Sequence, residues 1–328
     1  MTLKPTSLQS IMSKNSLARL LLVLLLGLLA GCDDNRSTYS IATGGTAGLY
    51  YPYGGGMASI WSARLNNINV KAEVTGGSVI NVIQVARKES EMGIAMADVV
   101  TSAYVGGGRF PEPLPLRVLF TAYPNLVHIL SLAESEFDSV ASLAGKRVAL
   151  GAAGSGTAVA ANNVLTSLGV DDIAPVYLNF AETTSALKDG TIDAGFVVGG
   201  LGIAAVTELS VTRNLKLIPL TTDELVKLNQ DHPAYSRTDI PASTYNGVDS
   251  DVQALGIWSV VVVHEDMPND VARSLTCTIY AHRESLLKIS AVAKSMTVDN
   301  IRKLSAVPLH NGTLAYLEDT DMACESGL

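Results

Sequence analysis

From Thr38 onward the chain alternates short apolar runs with stretches of helical period. Tyr39–Ala42, Asn69–Val74, Gly93–Ala97 and Val118–Ala122 read as strands, with helices near Tyr51–Leu65 and Val79–Lys88 between them. A second set follows: strand Arg147–Leu150, helix Thr157–Leu168, strand Val176–Leu178, helix Thr183–Asp189 and strand Ala194–Val198. Alternation of this kind predicts an α/β architecture of mainly parallel strands with crossover helices.

The helix over Thr157–Leu168 shows the pattern most plainly. Ala161, Val164, Leu165 and Leu168 fall on one stripe, Asn162, Asn163 and Thr166 fall elsewhere, and Gly169 sits where a helix C′ residue belongs. Ser155 or Thr157 supplies the N-cap oxygen, so the helix starts at the glycines. The two sets share more than element type. A Gly-rich turn at Gly44–Gly48 opens a helix in the first, as Gly151–Thr157 does about a hundred residues later, and in each set the next helix runs into a strand, MGIAMAD (Met92–Asp98) or GTIDAGFVVGG (Gly190–Gly200). This reads as two lobes built on one plan; the alternative is chance similarity between two α/β units.

Two stretches have the character of boundaries. Pro111–Pro115 is stiff, and after Pro124 comes the apolar strand Asn125–Ser131. Asp231–Gly247 is rich in Pro, Ser and Asp and is expected to be irregular, and the apolar strand Leu255–Val263 follows it. If both strands cross between lobes, residues 32–124 and 258–328 form lobe 1, residues 125–257 form lobe 2, and a helix over Asn269–Ile289 packs back on lobe 1.

At 328 residues the chain exceeds one typical core, in keeping with two domains. Part of its 48% hydrophobic content is concentrated in Leu20–Ala30, which follows Lys4, Lys14 and Arg19 with no acidic residue between. These are the n- and h-regions of an export leader over residues 1–31, too short to span a bilayer comfortably. Leu29-Ala30-Gly31-Cys32 resembles a bacterial lipobox, which implies that Cys32 is lipidated as the first mature residue, and Asp33 after it implies retention at the inner membrane. An ordinary secretory signal cut nearby and an uncut anchor are the alternatives, and both also export the protein. The expected location is periplasmic, with a lipid bilayer as partner through Cys32. Removing the leader leaves 20 basic residues facing 31 acidic ones, a net charge of about −11 that makes nucleic acid an unfit partner.

Cys277 and Cys324 remain, in a compartment where disulfides persist. A bridge tying the C-terminal tail to a helix and two free thiols are both open. No short-spaced Cys/His cluster suggests a metal, and no cofactor is expected. Nor does a catalytic motif hold. Around Ser155, Ala153 and Thr157 occupy the glycine positions of a nucleophile elbow, and after Gly151 and Gly156 the pair Thr157-Ala158 replaces the Lys-Ser/Thr of a phosphate loop. His128, His232, His264, His282 and His310 are scattered. The sequence therefore reads as a non-enzyme.

TGGTAGLYYPYGGGMASI (Thr43–Ile60), TGGSVINV (Thr75–Val82) and KRVALGAAGSGT (Lys146–Thr157) resemble the TAXI-type solute receptors of TRAP (tripartite ATP-independent periplasmic) transporters. So do GTIDAGFVVGG, IPASTYNGVDSDVQALG (Ile240–Gly256) and VPLHNGTLAYLED (Val307–Asp319), all in the same order as in that family. The resemblance implies a two-lobed periplasmic binding protein fold of type II-like form, with mixed, mainly parallel sheets joined by two crossover strands. It further implies a monomer that closes around one small organic acid or amino acid, such as glutamate or 2-oxoglutarate, and delivers it to TRAP membrane subunits. A receptor of the same fold serving a membrane sensor kinase is the alternative. A lipid anchor would set this chain apart from the many freely diffusing members.

Three turns pair glycine with a hydroxyl residue before a predicted helix: Thr43-Gly44-Gly45-Thr46, Thr75-Gly76-Gly77-Ser78 and Gly154-Ser155-Gly156-Thr157. The first N–H groups of a helix lack intrahelical partners and lie at the positive end of its dipole, so a carboxylate is a suitable guest. Thr43, Gly44, Gly45, Thr46, Gly77, Ser78, Gly154, Ser155, Gly156 and Thr157 are thus expected to bind the ligand. Tyr50 and Tyr51 are candidates to line the cleft, with Tyr53 beside them, although helix geometry sends two of these three tyrosines into a core or an interface. Asn81 is placed to reach the ligand from one turn into its helix, and Tyr123 and Phe196 are candidate walls. An arginine clamp would have to come from Arg109, Arg147 or Arg213, none of which lies in a glycine turn.

Overall fold

The computed structural model describes residues 36–303, 306–319 and 324; the leader, Cys32 and Asp33 lie outside them. Three parallel strands open the chain: β1 (Ser37–Ala42), β2 (Ile68–Glu73) and β3 (Met92–Met96). Helices α1 (Tyr50–Arg64) and α2 (Ser78–Ala86) connect them, and α3 (Ala97–Val105) follows β3. The plan then repeats with β5 (Arg147–Ala149), α4 (Gly156–Ser167), β6 (Ala174–Val176), α5 (Phe180–Lys188) and β7 (Ala194–Gly199), again parallel. Both β3 and β7 are buried along their whole length, as parallel strands covered by helices on two faces must be.

Between these arms run two long antiparallel strands, β4 (Leu116–Leu132) and β10 (Val252–His264). They complete one open sheet of order β2-β1-β3-β10-β4-β7-β5-β6, with β8 (Leu215–Leu217) on β4 and β9 (Tyr235–Ile240) on β10. Each arm therefore places its second strand outermost and its third against the central pair. Partners change along both long strands. Past Asn125, β4 leaves β10 and pairs with β7 over Leu126–Leu130, while β10 pairs with β9 up to Ile257 and with β3 from Ser259.

One apolar core on one face of the sheet runs across both arms, joining Val79, Val82 and Val99 to Val148, Ala161 and Phe196. Elsewhere the core is divided into a first-arm cluster around Trp61, Tyr53 and Phe120 and a second-arm cluster around Leu187, Val197 and Val206. Contacts gather Ser37–Leu328 into a single unit. Among the described residues no helix is long and apolar enough to cross a membrane.

Several elements differ from the sequence reading. Pro124 does not end a strand: it pairs with Trp258 in the middle of β4, next to a register shift between Trp258 and Val260 that accommodates the missing N–H. The stretch expected to be irregular after Asp231 contains β9, whose buried ends, Tyr235 and Ile240, flank more exposed polar positions. The helix expected over Asn269–Ile289 breaks at His282 into α8 (Asn269–Ala281) and α9 (Arg283–Leu287). Two further helices, α6 (Ala204–Thr212) and α7 (Thr222–Asp231), were not expected; α7 opens on a Thr221/Glu224 capping box, a legible four-residue signature. Chain-terminal helices α10 (Val298–Lys303) and α11 (Asn311–Glu318) complete the fold. Cys277 on α8 and Cys324 are joined by a disulfide, with Cα atoms 5.5 Å apart.

Candidate functional site

Parallel strands of one sheet end on the same side, and a ligand cleft in an open α/β sheet lies outside those carboxyl ends. Here the two arms turn those ends toward each other. They enclose a cavity of about 440 Å³ lined from the segments after β1 (Gly44–Tyr50), β2 (Val74–Ser78) and β5 (Ala152, Ser155–Thr157), and after β6 (Asn179–Ala181). Met96, Val198 and Gly199 end β3 and β7 at the wall, and Tyr123 and Asn125 enter where β4 passes between the arms. No Asp, Glu, Lys, Arg or His is among the lining residues.

Recognition must then come from main-chain donors, hydroxyls and amides. At the start of α4 the Ser155 side chain accepts the Ala158 N–H at 3.0 Å, which leaves the Gly156 and Thr157 N–H groups with no partner among the described residues. At the start of α2 the Ser78 hydroxyl accepts the Met96 N–H at 3.1 Å, so its own proton is available to a guest, and the Ser78 N–H is likewise unpaired among the described residues. No acidic residue stands in the first turn of α1, α2 or α4, so nothing there offsets the positive dipole ends. The start of α5 differs. Its Asn179/Glu182 capping box sets a carboxylate over that end, with the Asn179 N–H donating to Glu182 Oε2 at 2.8 Å.

The glycines after β2 and β5 have a second purpose that the sequence did not disclose. A Cβ on Gly156 would stand 2.7 Å from Ser78 Oγ and collide with the Met96 methyl, one on Gly77 would stand 3.4 Å from Ser155 Cα, and one on Gly76 3.2 Å from the Ala153 carbonyl oxygen. Val79 and Ile80 donate their N–H groups to the Gly154 carbonyl at 3.2 and 3.4 Å. These two turns clasp one another across the arms. Gly77, at φ 107° and ψ −157°, adopts backbone angles that in effect only glycine reaches.

Ten of the residues singled out from sequence line the cavity: Gly44, Gly45, Thr46, Tyr50, Gly77, Ser78, Tyr123, Ser155, Gly156 and Thr157. Five do not. Thr43 is buried behind the first turn, its hydroxyl donating to the Glu73 carbonyl at 2.5 Å. Tyr51 lies on the surface, 36% exposed, because successive helix positions diverge by about 100°. Asn81 is a structural clamp whose amide donates to the Thr43 and Ile94 carbonyls at 2.6 and 2.7 Å and accepts from Thr75 Oγ1 at 2.6 Å. Gly154 turns its carbonyl to α2, as described, and Phe196 is fully buried in the shared core. None of the three arginines reaches the site: Arg147 pairs with Asp193 and Arg213 with Glu134, each at 2.7 Å, and Arg109 is exposed.

Sequence reasoning missed Asn125, Asn179 and Phe180. The Asn-x-x-Glu signature of Asn179 and Glu182 was legible, whereas nothing local marks Asn125, which reaches the cavity only because β4 runs unbroken past Pro124. Asn125 Nδ2 donates to Ser259 Oγ at 2.5 Å, and that hydroxyl also bonds the Tyr50 phenol at 2.7 Å. Burial pushes the Tyr50 phenol up to about 12, so it stays a neutral hydrogen-bonding group.

Just behind the wall, Asp98 of the first arm accepts a hydrogen bond from the Tyr235 phenol of the second at 3.0 Å, and Asn163 Nδ2 donates to the same phenol at 2.8 Å. Desolvation raises the Asp98 carboxyl to about 6, and its Oδ1 is buried without a partner. His128, held by the Tyr245 phenol at 3.1 Å inside the second arm, is lowered to about 4 by burial. Among the described residues no cluster of His, Cys, Asp and Glu is suited to a metal ion.

The fold is that of periplasmic binding proteins. It resembles the periplasmic binding protein BugD at a TM-score of 0.55 and 13% identity, over 89% of this chain and 99% of that one. It also resembles a putative L-cystine ABC transporter from Listeria monocytogenes (0.50, 14%, 83% and 99%) and an ancestral arginine-binding protein bound to arginine (0.50, 12%, 78% and 97%). At these identities the likeness is one of fold alone. Residues 41–320 match the NMT1-like family over most of the chain, and the protein belongs to that family.

Proposed function

We propose that the protein is an extracytoplasmic solute-binding receptor of a TRAP-type transporter. It captures a small organic acid between two lobes and hands it to membrane permease subunits. The lobes are residues 32–124 with 258–328, and residues 125–257, closing about the partner changes in β4 and β10. A lipid on Cys32 holds the receptor at the membrane.

One observation carries this reading: the cavity is built from the carboxyl ends of parallel strands in both arms, so a guest there touches both lobes and stabilises their approach. Unpaired N–H groups of Ser78, Gly156 and Thr157 offer charge-assisted hydrogen bonds of roughly 1.5–3 kcal/mol each to a carboxylate. The printed names of the fold neighbours, a periplasmic binding protein and an arginine-binding protein, are consistent with such a role.

A thermal-shift screen of small acids and amino acids on the full chain identifies the ligand, and uptake of that ligand, labelled, is then compared between wild-type and deletion strains. Uptake is expected to fall in the deletion strain. Unchanged uptake removes the transport assignment and favours a sensory receptor.

A further inference from the structure

An uncharged lining is a selection rule. The reading just given puts the solute in this cavity, and the following rests on it. A small acid offers up to three kinds of group: one carboxylate, a second carboxylate, or an ammonium. The lining provides fully for the first only. The Ser78, Gly156 and Thr157 N–H groups and the Ser78 hydroxyl converge from two helix starts that carry no first-turn acid, enough donors for one carboxylate's lone pairs.

A second carboxylate finds no lysine, arginine or histidine on any wall, and the one additional helix start with a full cap, that of α5, already carries the Glu182 carboxylate. An ammonium finds no carboxylate. The buried acid nearest in the fold, Asp98, is hydrogen-bonded to Tyr235 and stands outside the lining. Away from the α2 and α4 starts the wall is apolar. Leu49 and Tyr123 meet around Gly200, and Phe180 lies over Gly48, its ring 3.3 Å from where a Cβ would be. Burying an unpaired charge against such a surface is strongly unfavourable.

We infer that the cavity selects an organic monoanion: a single carboxylate head on an uncharged, apolar body, with dicarboxylates and zwitterionic amino acids excluded. Glutamate and 2-oxoglutarate, which the sequence resemblance favoured, are on this account poor ligands.

Three probes that differ by one charged group test the rule. 4-Methyl-2-oxopentanoate has the required head and body, 2-oxoglutarate adds a second carboxylate to the same 2-oxo acid, and L-leucine puts an ammonium on the same carbon skeleton. Titration calorimetry on the full chain is expected to give 4-methyl-2-oxopentanoate an affinity at least tenfold higher than either of the others. Phe180→Lys, which sets a cation in the apolar wall, is expected to shift the ratio at least tenfold toward 2-oxoglutarate, with the melting temperature recording that the variant is folded. If 2-oxoglutarate or leucine binds as well as or better than the monoanion, the selection rule is overturned and the receptor assignment stands. A chain that binds none of the three, and no acid in the wider screen, overturns the rule and the receptor assignment together.

Discussion

The turn after β1 and the turns after β2 and β5 carry the same signature, glycine beside a hydroxyl at a strand-to-helix junction, and they do different things. A Cβ on Gly45 would meet nothing within 4 Å, and that turn contributes open wall. At Gly76, Gly77 and Gly156 the space a Cβ would need is occupied by the opposite arm. Small residues at one junction leave room for a solute; at the other two they leave room for the other half of the protein. Local sequence cannot separate the two cases, because what each turn faces is decided by strands more than seventy residues away.

Breaking the clasp should have the largest effect. Gly156→Asp places a side chain against Ser78 Oγ and the Met96 methyl, and a charge beside the N–H groups assigned to the carboxylate. Both consequences oppose ligand capture. Affinity for whatever acid the screen identifies is expected to fall at least a hundredfold, about 2.7 kcal/mol, with far-ultraviolet circular dichroism unchanged. Retained affinity in a folded variant would separate the clasp from binding and would place the anion elsewhere in the cavity.

How much of this was legible follows from the same contrast. The parallel strands and their crossover helices were legible because burial on two faces demands continuous apolar runs, as in Met92–Met96 and Ala194–Gly199. So was the position of the cavity, since strand-to-helix junctions are marked by glycine and hydroxyls. Asn81, Thr43 and Phe196 were misplaced for a shared reason. Each lies close in sequence to a lining residue, yet its side chain turns to its own arm: toward the first turn for Asn81, the Glu73 carbonyl for Thr43 and the core for Phe196. The Pro124 error has the opposite origin. A local rule against proline in central strands was overridden by a register shift in the partner strand, which sequence does not display.

A second tie between the arms, the Asp98–Tyr235 hydrogen bond, sharpens the comparison through pH. The Asp98 carboxyl stands at about 6 against an ordinary 3.8, so as pH falls from 6 toward 3.8 the native state binds more protons than the unfolded chain and gains stability. His128, at about 4 against 6.5, works in the other direction: the unfolded chain binds more protons over that interval, and stability is lost on acidification. Each effect amounts to about 3 kcal/mol, and the two nearly cancel between pH 6 and 4. Asp98→Asn removes only the first. Relative to wild type, the variant is expected to lose about 3 kcal/mol between pH 6 and 4 in urea titrations. Parallel curves would mean that Asp98 is solvated and is not a tie between the arms.

The smallest effect is expected where the first turn differs most from the other two. Gly45 has no left-handed backbone requirement and no neighbour for a methyl to displace, so Gly45→Ala should change stability by less than about 0.5 kcal/mol. Its methyl would project from a lining residue into open space, and ligand affinity should stay within about threefold, 0.7 kcal/mol. The informative outcome is a large loss. A tenfold weakening of binding with an unchanged melting temperature would mean that the second arm closes on Gly45 once the solute is held, making all three glycine turns contacts between lobes and leaving none as open wall.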